Sequence, residues 1–194
     1  VTGYPPVCVL RHGQTEWNAT GRLQGRLDSP LTALGERQAA AQRASLQRLD
    51  LTEFEGFCSP QGRAFHTAAL VLVGLVPSIA TDPRLVEIGV GDWEGAYRSQ
   101  IVIDGMQSES DEGALDLYER APGGEGFAAL RLRCESFLDT LRAPAVIVTH
   151  GITSRMLRLV LLGLDTSEIS WLPGGQGVVF HIAGGRQTQL AQRP

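Results

Sequence analysis

Ala145-Val146-Ile147-Val148-Thr149-His150-Gly151 is the clearest strand signal in the chain: a run rich in β-branched residues that ends abruptly at a His-Gly pair. Val7-Cys8-Val9-Leu10, followed by Arg11-His12-Gly13, repeats the arrangement near the N-terminus. Neither run alternates apolar with polar residues, so both read as strands buried on two faces, as in the centre of a parallel sheet. Working outward, Thr32 caps a helix whose apolar positions recur through Leu49. Glu55 to Ser59 reads as a second strand leading into a helix from Gly62 to about Leu75, and Ser78 to Thr81 as a weak third strand. Residues 96 to 124 read as irregular and acidic, Gly126 to Leu141 as helical, and Ile152 to Leu162 as a helix behind His150. Gly177 to Ile182 and Gln187 to Leu190, around Gly184-Gly185, read as a closing hairpin. Strands alternating with helices predict an α/β protein: a three-layer α/β/α sandwich with a mostly parallel central sheet. In such sheets ligands bind beyond the carboxyl ends of the strands, where His12 and His150 fall.

With 194 residues, at roughly 150 per domain, a single domain over residues 1–194 is expected. Its 43% apolar content suits a buried core, and a net charge of −4 provides no general basic field for nucleic acid or an acidic membrane. All 17 basic residues are Arg. The absence of Lys excludes a Walker A phosphate loop, a Schiff-base enzyme and a kinase built on a strand lysine. Any anion must therefore be held by guanidinium forks, imidazoles and backbone amides. Cys8, Cys58 and Cys134 are odd in number, far apart and without metal-type spacing, so neither a disulfide framework nor a metal site is expected. Val1 to Pro6 lacks the basic and apolar regions of a signal peptide, and the expected location is a reducing cytoplasm.

The polar residues beyond the strands carry the chemistry. Arg11 sets a planar fork beside His12, and Gly13 lets the backbone turn tightly near an anion. Ser59-Pro60-Gln61-Gly62-Arg63 places a second Arg at a helix start, and Glu87 to Gly95 is a glycine-rich loop carrying carboxylates. Behind His150-Gly151 comes a helix amino end, which favours negative charge.

This ordered set resembles the histidine phosphatase superfamily, also called the phosphoglycerate mutase-like family. Arg11-His12-Gly13 with Thr15 and Asn18 looks like its signature. Gly21 to Gly25, Asp28 to Thr32, Ser59-Pro60 with Arg63-Ala64 and Thr67-Ala68, Leu85 and Glu87 with Gly91, Trp93, Glu94 and Gly95, and His150-Gly151 follow in its order. The resemblance implies a phosphoryl-transfer enzyme that works without metal or other cofactor. His12 would be the nucleophile, Glu87 the proton donor, and Arg11, Arg63 and His150 the stabilisers of the transferring group. Thr15, Asn18, Gln24, Gly25 and Gly151 would contact the phosphate. The implied partner is a small phosphorylated metabolite rather than nucleic acid or membrane, and a homodimer stays open.

Within the family, Gly91-Asp92-Trp93-Glu94-Gly95 resembles the phosphatase branch, whereas mutases usually carry Glu-Arg-His-Tyr-Gly there. The short middle segment and the lack of Lys point the same way. Phosphoester hydrolysis is therefore expected, with phosphoglycerate mutase as the alternative and a non-catalytic phospho-ligand binder behind it. Glu94 is a rival for the acid role, though a structural loop carboxylate is the plainer expectation. Asp92 is expected to be solvated, and His66 and His181 to lie on the surface or in packing. Trp17, Trp93 and Trp171 would wall the pocket or fill the core. Cys58 and Arg63 enclose four residues, one short of a cysteine phosphatase loop, and Pro60 removes an amide such a loop needs. The acidic segment 109 to 119 is expected to be a solvated face or, on the resemblance, a lid. The claim on which the rest depends is that His12 and His150 meet face to face in one cationic cradle.

Overall fold

The computed structural model describes residues 3–103, 106–107 and 115–190. In chain order the elements are β1 (Val7–Arg11), α1 (Glu16–Ala19), α2 (Ala33–Leu46), β2 (Glu55–Cys58), α3 (Gly62–Leu72), β3 (Ile79–Thr81), β4 (Val102–Ile103), β5 (Met106–Gln107), α4 (Asp116–Glu119), α5 (Gly126–Leu138), β6 (Ala145–Thr149), α6 (Gly151–Leu162), β7 (Val179–Ala183) and β8 (Arg186–Leu190). The main sheet has the order β3-β2-β6-β1-β7-β8. Parallel pairing joins β3 to β2, β2 to β6 and β6 to β1, while β7 runs against both β1 and β8. The sheet is therefore mostly parallel, with β7 as the reversed strand.

Alternate residues of the central strands feed opposite layers. Val7, Val9, Ala145 and Ile147 pack with Leu130, Phe137 and Met156 of α5 and α6. Cys8, Leu10, Val146 and Val148 pack with Ala39, Leu46 and Val71 of α2 and α3. Helices thus cover both faces, which is why β1 and β6 carry uninterrupted apolar runs. The layer formed by α6 is unusual in being enclosed: every residue from Gly151 to Leu161 is buried, Arg155 and Arg158 included. Arg158 stacks 3.9 Å from the Phe180 ring centroid and donates to the carbonyls of Ser154 and Pro173.

Several expected boundaries shift for local reasons. The α2 helix ends at Leu46 rather than Leu49, and α5 at Leu138 rather than Leu141, each followed by short-range turns. The α3 helix stops at Leu72, three residues early, because Val73 is extended and Gly74 takes a φ of +76°. The second strand ends at Cys58, though Ser59 N still donates to Val148 O. Gly177 takes a positive φ, so β7 begins only at Val179. Residues 96 to 124 are not uniformly irregular, since they include a 3₁₀ turn at Arg98–Gln100, the β4–β5 hairpin and α4. A 3₁₀ segment at Thr166–Trp171, started by an Asp165–Glu168 capping box, was not expected. Glu109, Asp111 and Glu112 of the acidic stretch lie outside the described residues. Among the described residues no helix is long and apolar enough to cross a membrane.

The loop after β1 is clamped to the start of α2. Thr32 caps that helix by accepting from Gly35 N, and Thr32 N donates to Gln14 O at 2.9 Å. The two backbones touch so closely that a Cβ on Gly13 would meet Gly35 O at 2.2 Å, and one on Gly35 would meet Gln14 O at 2.1 Å. Glycine is required there by the contact with backbone atoms, which cannot rotate away. We expect Gly35→Ala to destabilise the fold by about 1–3 kcal/mol through overpacking, read as a lowered urea midpoint, and to reduce activity by displacing His12.

Candidate active site

The carboxyl edges of β1, β2 and β6, with the loop after β3, gather the polar residues into one place. The register that pairs Arg11 with Thr149 sets the next residues, His12 and His150, side by side. Their ring centroids are 5.1 Å apart at an interplanar angle of 64°. The rings meet edge to face, not face to face, because each is turned by a different hydrogen bond. His12 Nδ1 donates to Gly13 O at 2.7 Å, which fixes the tautomer and leaves the Nε2 lone pair unprotonated. His150 Nε2 shares a 2.7 Å hydrogen bond with the Ser59 hydroxyl, and its Nδ1 has no hydrogen-bond partner among the described residues.

Arg63 is the hub of the site. Its Nε donates to His12 Nε2 at 3.2 Å, its Nη1 to Asp28 Oδ1 and Leu27 O, and its Nη2 to Gly25 O. Thr67 completes the link by donating to Arg63 O and accepting from Gly13 N. The Arg11 guanidinium lies against Gly151, where a Cβ would meet Arg11 Cζ at 3.3 Å. A side chain at 151 would thus press on both Arg11 and the Glu87 carboxylate, 3.6 Å from the same point.

Glu87 is 8% exposed and hydrogen-bonded through both carboxylate oxygens. Oε1 accepts from Ile88 N, Thr153 N and the Thr153 hydroxyl, and Oε2 accepts from Ile152 N. The amino end of α6, expected to favour an incoming anion, thus already holds an internal carboxylate. With Arg11, His12, Arg63, Asn18 and Gln24, Glu87 lines a pocket, and it is the carboxylate of that lining among the described residues.

The remaining expected residues divide. Asn18 Oδ1 accepts from Thr15 N and Gln176 Nε2, which leaves its amide nitrogen for the pocket. Gln24 and Gly25 line the pocket, but the Gly25 carbonyl is taken by Arg63 and Gln61. Thr15 is a correction: it is fully buried, its hydroxyl caps α1 by accepting from Asn18 N, and it does not line the pocket. Its part is to hold Asn18. Glu94 accepts from Arg26 N, so it braces the 24–26 loop. Asp92 and His66 are exposed, His181 is half-buried in β7, and Trp171 is 72% exposed. Trp93 packs partly against the core, while Trp17 lies under the Arg22 guanidinium.

Several contributors were not singled out from sequence. Arg22, Asp28 and Ser59 stood inside the motifs of the resemblance, and only their partners reveal what they do. Thr153, Arg98 and Tyr118 carried no local signal. Arg22, Arg98 and Tyr118 line the pocket, and Thr153 anchors Glu87.

The family profile described as the histidine phosphatase superfamily (branch 1) matches residues 7–192. The chain belongs to this superfamily. A relative from Enterobacter sp. (strain 638), named probable phosphoglycerate mutase GpmB, is 34% identical over 168 residues, covering 81% of this chain and 75% of the relative. Among solved structures, the alpha-ribazole phosphatase from Shigella flexneri is 29% identical with a TM-score of 0.75, covering 94% of this chain and 93% of that one. The mycobacterial glucosyl-3-phosphoglycerate phosphatase solved with VO3 is also 29% identical, with a TM-score of 0.74, covering 95% and 96%.

Burial holds the His12 pKa well below 6.5, and the Arg63 and Arg11 charges push it the same way. Burial does the same to His150, aided by Arg63, His12 and Arg11. Both rings are therefore neutral in the folded protein at neutral pH, and below pH 6.5 the unfolded chain binds protons that the native state refuses. Stability should be complete above that pH and fall as the solution is acidified, by up to about 1.4 kcal/mol per pH unit for each histidine. Urea unfolding between pH 7.5 and 5 would read this slope, and His150→Gln should make it shallower.

Proposed function

We propose that this chain hydrolyses small phosphomonoesters through a phosphohistidine on His12, without a metal. The carrying observation is the His12 ring itself: Nδ1 is spent on the Gly13 carbonyl, and burial keeps the ring neutral, so Nε2 is a ready nucleophile. Nε2 attacks phosphorus as the bond to the leaving oxygen breaks. Arg11 and Arg63 offset charge on the equatorial oxygens, with the Asn18 amide, His150 Nδ1 and the Gly151 amide as hydrogen-bond donors. Arg63 Nε, which caps Nε2 at 3.2 Å, turns its hydrogen bond to the phosphoryl group as substrate enters. Glu87 takes up the proton that the monoanionic ester brings in, gives it to the leaving alkoxide and then takes one from the attacking water, whose oxygen displaces His12. Gln24 adds to phosphate binding from the loop wall.

The relatives named probable phosphoglycerate mutase GpmB favour a second reading, in which the phosphoryl returns to another hydroxyl instead of water. Conversion of 3-phosphoglycerate to its 2-phospho isomer, primed with 2,3-bisphosphoglycerate, would support it, whereas release of inorganic phosphate supports hydrolysis. The partner on either reading is a small phosphorylated metabolite, and the three free, buried cysteines suit a reducing cytoplasm.

His12→Ala should lose several orders of magnitude in 4-nitrophenyl phosphate turnover and trap no acid-labile phosphoryl-enzyme, while near wild-type turnover would reject the mechanism. Glu87→Gln should slow alkyl phosphates by roughly 10²- to 10⁴-fold and 4-nitrophenyl phosphate much less, because nitrophenolate leaves without a proton. A chelator should change neither rate.

A further inference from the structure

The residue just before α3 does not act as a helix cap. Gln61 stands where a side chain ordinarily accepts from the opening amides of the helix, yet it makes no such bond to the described residues. Asp28 Oδ1 accepts from Arg63 N in its place. The Gln61 amide is thereby free to reach outward. Its Oε1 accepts from Glu87 N at 2.7 Å, and its Nε2 donates to Gly25 O at 3.0 Å. A backbone N–H can only donate and a backbone carbonyl can only accept, so one orientation of the amide satisfies both. The main chain of Gln61 adds a third link: its N donates to Ser59 Oγ at 3.3 Å, and Ser59 shares the 2.7 Å hydrogen bond with His150 Nε2.

Both ends of the side-chain bridge belong to the site. Gly25 O also accepts from Arg63 Nη2 at 3.1 Å, so the carbonyl that Gln61 holds is an anchor of the Arg63 fork. At the other end, Ile152 N and Thr153 N grip the Glu87 carboxylate from α6, and the Thr149 and Thr153 hydroxyls donate to the carbonyls of Leu85 and Val86. Those bonds fasten the acid loop to β6 and α6. Gln61 ties the Glu87 main chain across the site, to the loop that carries Gly25. A proton donor works within about 2.6–3.2 Å of the oxygen it serves, so the spacing between Glu87 and the phosphoryl cradle governs the acid step.

We propose that Gln61 is a positioning residue for that step: its amide sets the spacing between Glu87 and the Arg63 cradle, and so the reach of Glu87 to the leaving oxygen. This rests on the phosphomonoesterase reading and adds to it a residue that acts through Glu87.

The test compares kcat/KM for phenyl phosphate and 4-nitrophenyl phosphate. The two esters are alike in shape, but phenolate departs poorly without a proton and nitrophenolate departs well. Gln61→Met keeps the length of the side chain and removes both of its hydrogen bonds. It should slow phenyl phosphate about tenfold more than 4-nitrophenyl phosphate, a part of the roughly hundredfold cost of a misplacement of about 1 Å. Gln61→Asn, one methylene too short to span the two loops, should shift the ratio the same way. In a Glu87→Gln background, where no acid remains to be placed, Gln61→Met should leave the ratio as Glu87→Gln set it. A residue that merely supported the fold would slow both esters alike. An unchanged ratio in Gln61→Met, or a further fall in the double variant, therefore overturns the proposal while hydrolysis stands. If Gln61→Met fails to fold, Gln61→Asn is taken through the same cycle and decides. Failure of wild type to release phosphate from 4-nitrophenyl phosphate would instead overturn the hydrolase reading, and the acid step with it.

Discussion

The parallel pairing of β1 with β6, in register at Arg11 and Thr149, is the constraint on which the site depends. It brings together two histidines far apart in the chain, and it does so with backbone hydrogen bonds in a core that excludes water. His12 N extends the same ladder by donating to Thr149 O. A slip of one residue would turn the apolar faces of both strands the wrong way, against two hydrophobic layers at once. The packing that stabilises the sheet therefore also sets the distance between the imidazoles.

Around that pair, the fold solves an electrostatic problem. Several guanidiniums converge where phosphate charge would develop, and no lysine is available to share the task. Asp28 and the carbonyls of Gly25 and Leu27 fix Arg63, so its fork is oriented rather than mobile. Burial and these same cations keep both histidines neutral. A neutral imidazole is what a nucleophile needs, so on the proposed mechanism the positive surroundings that would hold phosphate would also prepare His12 to attack it.

The amino end of α6 shows a different economy. Its amides hold Glu87, and through Glu87 they tie the loop after β3 to the loop after β6. The helix dipole then acts on an internal carboxylate rather than directly on a bound anion. Arg158, buried without a carboxylate among its recorded partners, pins Pro173, and three residues on Gln176 reaches Asn18. The C-terminal segment is thereby connected to the N-terminal signature.

By itself the sequence determined the layer architecture and the core of the site, because buried parallel strands leave uninterrupted apolar runs and His-Gly turns mark their ends. His12, Arg63 and His150 were legible for that reason, and Glu87 through the glycine-rich loop that follows it. Thr15 misled, since a hydroxyl in the signature serves equally as a helix cap or a phosphate ligand, and only its hydrogen bond to Asn18 separates the two. The edge-to-face angle of the imidazoles, the clasp of Asp28 on Arg63, and the wall formed by Arg22, Arg98 and Tyr118 were decided by tertiary structure alone. Those features are contacts between segments distant in the chain, and local patterns of hydrophobicity and turn chemistry carry no record of which distant side chains will meet.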